Sequence, residues 1–85
     1  MGPSPGGGPL RIAFTLAHDA SIEIAVFDLL GRRVATPAKG VWPAGTQALE
    51  WDGRGQDGQP APAGVYVVRY AHPVGQDRRT IVRMR

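Results

Sequence analysis

The stretch from Trp51 to Tyr66, WDGRGQDGQPAPAGVY, decides the fold of this chain. Two Asp-Gly pairs, Asp52-Gly53 and Asp57-Gly58, stand between the indole and the phenol. Aspartate before glycine favours a turn, because the carboxylate accepts backbone N–H bonds and glycine adopts positive φ without steric cost. The two prolines that follow stiffen the unfolded chain. We therefore predict a long ordered loop whose ends, Trp51 and Tyr66, anchor a small apolar core.

The end of this stretch carries its own signal. Gly64 permits a close backbone approach just before a strand begins, and Tyr66 is the second residue after it. Corner tyrosines of β-sandwiches bury the ring and reach a backbone partner with the hydroxyl. We expect Tyr66 to do the same, which makes this a structural motif.

Short runs of alternating apolar and polar residues lie on both sides of the loop, and no segment keeps an apolar face at helical spacing for three turns. The predicted strands are residues 10–17, 21–29, 33–36, 46–51, 65–71 and 77–84. Six or seven strands within 85 residues predict an all-β, antiparallel two-sheet sandwich. The chain contains no cysteine, so disulfides and thiolate metal sites are excluded.

The middle of the chain has the least regular pattern. Pro37 lacks an N–H and is predicted to end the third strand. Residues 39–45 contain two glycines and Pro43, so we expect a loop there with Trp42 at its centre. Trp42 then either caps one open end of the sandwich or is exposed for a partner.

Positive charge is concentrated at the end of the chain. The formal net charge is +3; residues 1–76 are balanced, and residues 77–85 hold one aspartate and four arginines. This pattern is typical of an edge strand protected by charge against aggregation. Binding to nucleic acid is disfavoured, because the remaining surface is balanced and offers no aromatic stacking platform.

The last strand has two different faces. Thr80, Val82 and Met84 share one face, and the residues between them share the other. The pattern leaves open which of these faces points inward.

No group of residues predicts catalysis. His18 and His72 stand in predicted turns, and no nucleophile, base and orienting residue can be argued to converge, so we predict a non-enzyme without cofactors. The spacing of Asp28, Asp52 and Asp57 misses the calcium-loop pattern. We interpret these three aspartates as turn caps.

The first nine residues, MGPSPGGGP, read as a flexible linker or a cloning remnant in front of a domain at residues 10–85. No apolar run approaches the ~20 residues that a membrane span needs. A linker at the start favours a chain taken from a longer protein.

Several of these motifs together resemble a known family. They are Val26–Val34 (VFDLLGRRV), Ala44–Thr46, Trp51–Gly53, Asp57-Gly58 and Pro62–Tyr66. Within the first, Asp28 and Gly31 form a tight connection. The set resembles the immunoglobulin-like domain of the flagellar hook-capping protein. It equally resembles the C-terminal domains of many secreted bacterial proteins, including the sorting domains of type IX secretion. The resemblance covers residues 10–85 and implies an immunoglobulin-like (fibronectin type III-like) sandwich of about seven strands.

The resemblance also implies a function. We expect a non-catalytic C-terminal accessory domain of an exported bacterial protein, secreted or at the cell surface, that acts in sorting or surface attachment. Its partner is then a protein of the secretion or attachment machinery. The candidate contacts are Arg79, Ile81, Arg83 and Arg85 of the last strand, together with Trp42. Two alternatives remain: a structural assembly domain of hook-cap type, packed against neighbouring subunits, and a passive spacer beside an enzyme.

Overall fold

Residues 9–83 are described by a computed structural model, in which alternating apolar residues form two antiparallel sheets. The strands are β1 (Leu10–Leu16), β2 (Ala20–Asp28), β3 (Arg33–Trp42), β4 (Gly45–Trp51), β5 (Gly64–His72) and β6 (Gly75–Arg83). One sheet pairs β1 with β4, and the other has the order β3-β2-β5-β6. The predicted sandwich class is confirmed, with six strands in the described residues rather than about seven. The predicted linker, apart from Pro9, lies outside those residues, as do Met84 and Arg85.

The core lies between the two sheets. In β1, Phe14 and Leu16 are buried while Ala13 and Thr15 are exposed, as the period-two pattern requires. Across from them, Ile24 and Val26 of the central strand β2 are fully buried. The remaining buried members of the cluster are Ile22, Ala35, Ala38, Trp51, Tyr66 and Val68. At roughly 1.5–3 kcal/mol for each large apolar side chain, this burial is the main stabilising contribution in a chain without disulfides.

Strand β3 corrects two predictions. Pro37 does not end the strand, and residues 39–42 are not a loop; β3 continues to Trp42. The strand pairs only with β2, so its other edge is free of a partner strand. Between the pairs Ile24–Ala38 and Val26–Ala35 it holds one extra residue, which is a β-bulge at Thr36 and Pro37. An edge strand with a bulge tolerates proline, because the missing N–H has no ladder bond to lose.

The two sheets are unequal in width. A two-stranded sheet faces a four-stranded one, with β1 paired only to β4 and β6 paired only to β5. The inner face of β5 and β6 is therefore only partly covered. Each of β1 and β6 also has one edge whose alternate N–H and C=O groups point away from any strand. In residues 9–83 no helix is long and apolar enough to cross a membrane.

Candidate protein-binding surface

The turn after β2 is internally satisfied. The Asp28 carboxylate accepts hydrogen bonds from the backbone N–H groups of Leu30 at 2.9 Å and Arg32 at 3.0 Å, and from Arg32 Nε at 2.9 Å. The backbone bond from Arg32 is the largest of the influences that hold the pKa of Asp28 below its ordinary value. Gly31 supplies the left-handed conformation of the turn, with φ of 81°. Both carboxylate oxygens are therefore committed to the turn.

The first Asp-Gly pair of the long loop anchors the core tryptophan. Asp52 accepts a 2.9 Å hydrogen bond from the Arg54 backbone N–H, and Gly53 has a φ of 84°. This turn presents the Arg54 carbonyl to the indole, and Trp51 Nε1 donates to it at 2.9 Å. A side chain at Gly53 would overlap the guanidinium of Arg83. The turn thus leaves room for an arginine beside the indole.

The second Asp-Gly pair holds the loop against the sandwich. Asp57 accepts a 2.9 Å bond from the Gln59 backbone N–H, and Gly58 has a φ of 82°. The neighbouring Gln56 N–H donates to the Val34 carbonyl of β3 at 2.8 Å. Among the residues that the structure describes, no group of three or more His, Cys, Asp or Glu side chains could hold a metal ion.

Tyr66 closes this end of the molecule. Its hydroxyl donates to the Pro62 carbonyl at 2.6 Å, four residues upstream, in the manner of a tyrosine corner. Its ring lies 6.4 Å from the Trp51 ring in an edge-on arrangement. Gly64, with a φ of 151°, makes the bend between the loop and β5. The hydrogen bonds of Trp51, Asp52, Asp57 and Tyr66 thus hold the turns and the packing of this stretch.

A groove of about 560 Å³ runs between β1 and β6, where the smaller sheet ends. Apolar side chains from both sheets line it: Leu10, Ile12, Phe14, Val68, Tyr70 and Ile81. Phe14 and Tyr70 form its aromatic centre, with ring centroids 5.2 Å apart. The groove is thus a continuation of the core that reaches solvent.

Strand β6 turns one of its two faces toward this groove. In register with β5, Arg79 pairs with Val68, Ile81 with Tyr66, and Arg83 with Gly64. Because Tyr66 and Val68 point into the core, Arg79, Ile81 and Arg83 share the inward face. The opposite face carries Val82, which is 65% exposed.

The three predicted contacts on β6 have different surroundings. Ile81 is half-buried against the core, and the Arg83 guanidinium lies 5.1 Å from the centre of the Trp51 ring. Arg79 is exposed and lines the groove. Their role in binding stays a prediction, and Arg85 lies outside the described residues.

Trp42 lies at the end of β3 and contacts Phe14, which is one of the residues that line the groove. It is half-buried, and its ring packs edge-on against Phe14 at 5.6 Å. This contact places the indole over one end of the core. Whether Trp42 also binds a partner stays a prediction.

Two arginines on the outer face of the four-stranded sheet share one carboxylate, Glu23. Glu23 accepts hydrogen bonds from Arg33 at 3.3 Å and Arg69 at 3.1 Å, and both guanidinium groups lie over the Phe27 ring. Burial raises the pKa of Glu23, but the nearby cations, Arg33 first, outweigh it and hold that pKa below its ordinary value.

The arginines near the groove differ from that pair. Within residues 9–83, Arg78 and Arg79 make no ion pair, and the nearby Asp77 lies 3.2 Å from His72 Nε2. Burial, reinforced by the charge of Asp77, raises the pKa of Tyr70 above its ordinary value. The groove therefore combines an apolar floor with a charged rim of net positive sign, in which Arg11, Arg78 and Arg79 stand against one carboxylate, Asp77.

Sequence reasoning did not identify β1 as part of this surface. Ile12 and Phe14 read as ordinary core positions, since alternation predicts the inward face but not how much of it the opposite sheet covers. The inward position of Tyr70 could have been predicted, because alternation along β5 puts Tyr70 on the same face as Tyr66.

Comparisons with known proteins agree on the fold. The family model described as FlgD Ig-like domain matches residues 3–72. A solved structure titled as FLGD from P. aeruginosa matches with a TM-score of 0.64 and 22% identity, over 87% of this chain. The chain spans 57% of that protein. No curated protein matches. Strand β6 lies beyond the range that the family model matches.

Proposed function

The chain belongs to the family of FlgD Ig-like domains, and from this premise we propose that it is a structural assembly domain of a hook-cap type protein. The match to the family model over residues 3–72 carries the proposal. In this role the domain packs against neighbouring protein subunits of an exported assembly. In this proposal the protein to which the domain belongs works outside the cytoplasm.

The distribution of side chains supports a scaffold. Asp28, Asp52 and Asp57 are each bonded to the backbone of their own turn. His72 is bonded to Asp77. The groove between β1 and β6 is lined mainly by apolar and cationic side chains, which suits contact with protein.

The sorting role, which the resemblance to the sorting domains of type IX secretion implies, stays a prediction. The family that matches is the one to which the assembly role belongs, so we rank assembly first. The remaining alternative, a passive spacer, differs from assembly in one testable respect. A spacer needs the right size and stability but no particular surface.

A domain exchange tests the proposal. In a motile bacterium, the Ig-like domain of its own FlgD is replaced by this chain, or by an unrelated β-sandwich of equal size. Hooks are then counted by electron microscopy, and folding of each chimaera is checked by limited proteolysis. We expect hooks with this chain and few or none with the unrelated sandwich. Equal hook numbers with both would identify a spacer, and a folded chimaera without hooks would contradict the assembly role.

A further inference from the structure

The groove between β1 and β6 has the form of a missing strand position. The smaller sheet stops at β1, while the larger sheet extends beneath the open space as β5 and β6. One more strand beside β1 would widen the smaller sheet to three strands. It would also cover the exposed parts of Val68, Tyr70 and Ile81. Addition beside β6 would widen the larger sheet instead and leave this apolar surface open.

We propose that this groove binds an extended acidic segment of a neighbouring polypeptide, which adds to the free edge of β1 as a strand. Main-chain hydrogen bonds to β1 supply affinity, and alternate apolar side chains pack on the groove floor. The inference rests on the proposed assembly role and names the chemistry of its partner.

The charge of β6 selects an acidic partner. Arg11, Arg78 and Arg79 line the groove, and none of the three forms an ion pair within residues 9–83. The lining also holds one carboxylate, Asp77, which lies against His72, so the groove keeps a net positive charge. Carboxylates on the incoming strand would supply the missing counter-charge, whereas lysines would add repulsion. The outer-face arginines cannot play this part, because Glu23 already pairs with both.

The same charges disfavour a second copy of this chain. A neighbouring copy that presented its own β6 to β1 would bring further arginines to a groove that is already positively charged, and like charges brought together at an interface are unfavourable. The segment at residues 1–8 is also poorly suited, because its glycines offer no apolar side chain and its prolines no N–H donor. An acidic strand from a different polypeptide fits the groove better than either.

Three peptides as long as β1, which has seven residues, test this inference on the full chain. The first alternates valine with glutamate, the second replaces each glutamate by lysine, and the third is the acidic peptide with alternate backbone nitrogens methylated. Titration is followed by NMR, with amide hydrogen exchange along β1. We expect only the first to bind, with new protection at alternate β1 amides and weaker binding at high salt.

Two matched charge reversals sharpen the test. Arg79→Glu reverses the charge of one groove cation, and Lys39→Glu makes a charge reversal on the exposed surface of β3, at the opposite edge of the sheet. We expect Arg79→Glu to weaken binding of the acidic peptide by about tenfold or more and Lys39→Glu to leave it within about twofold. Thermal unfolding checks that both variants fold.

Several results would overturn the inference. Equal binding of the lysine peptide would contradict the preference for an acidic partner. Equal binding of the methylated peptide would contradict main-chain hydrogen bonding to β1. Binding only after deletion of residues 2–8 would make this chain's own segment the occupant, and a dimer that the acidic peptide dissociates would make it a second copy. If no peptide binds but the domain exchange yields hooks, the groove inference fails while the assembly role stands.

Discussion

The two ends of the apolar core are closed in different ways. At the Trp51 end, a loop covers the core, and the indole and phenol both donate to backbone carbonyls. Along the β1–β6 groove, the core runs out to solvent beside Arg79. One region is therefore closed by packing and hydrogen bonds, and the other leaves apolar surface exposed to solvent. Substitutions should separate the two.

The largest effect is expected at Trp51. The side chain is 3% exposed, packs on Tyr66 and lies beneath Arg83, so Trp51→Ala leaves a cavity and strands the Arg54 carbonyl. Loss of about 3–5 kcal/mol from the free energy of unfolding is expected, measured by urea denaturation. Arg79→Ala in the groove should change the free energy of unfolding by less than about 0.5 kcal/mol. Comparable losses at the two sites would remove the distinction between the regions.

The second-largest loss of stability is expected at the tyrosine corner formed by Tyr66. Tyr66→Phe keeps the ring but removes the 2.6 Å bond to the Pro62 carbonyl. We expect a loss of about 1–2 kcal/mol, because a part-buried carbonyl loses its donor. The matched control is Tyr70→Phe in the groove, whose hydroxyl makes no hydrogen bond within residues 9–83. That variant should be nearly neutral in thermal unfolding. A larger loss from Tyr70→Phe would reverse the ranking.

A smaller effect is expected at the turn glycine that follows Asp28. Gly31 has a φ of 81° and no neighbour within reach of an added Cβ, so Gly31→Ala tests backbone strain alone. The expected cost is about 1 kcal/mol. Gly31→Asn should recover most of it, since asparagine tolerates this conformation. Equal stabilities of the alanine and asparagine variants in chemical denaturation would show that the left-handed conformation of Gly31 does not cause the loss of stability.

The smallest effect is a pH dependence. The pKa of Asp28 is lowered in the folded state, so its contribution is present above the unfolded pKa, ordinarily 3.8. The contribution is lost as the pH falls through the lower folded value. We expect wild type to exceed Asp28→Asn in stability above pH ~4 and the gap to narrow below it. Denaturant titrations from pH 6 to 2 measure this gap, and a gap that widens toward low pH would have the wrong sign.

Local rules account for the parts of the molecule that were predictable. Asp-Gly turns, the alternation in β1 and the reach of Tyr66 depend on neighbours within about four residues, so sequence reasoning can reach them. Pro37 shows where such rules end. Proline is excluded from a central strand but allowed at an edge bulge, and only the sheet order shows that β3 is an edge.

The candidate groove depends on sheet order in the same way. The basic character of β6 was legible in the sequence, and so was the separation of its residues into two faces. Which face points inward followed from the register of Ile81 with Tyr66. That β1 lies opposite β6 is a property of the topology, since about sixty residues of intervening chain bring them together.

By itself, then, the order of residues determined that this chain is a sandwich of short antiparallel strands, because side-chain period and turn chemistry act over a few residues. Tertiary structure alone decided which strand edges remain unpaired and how far each sheet covers the other. Those features arise from contacts between distant segments, and no local pattern encodes how wide the smaller sheet will be.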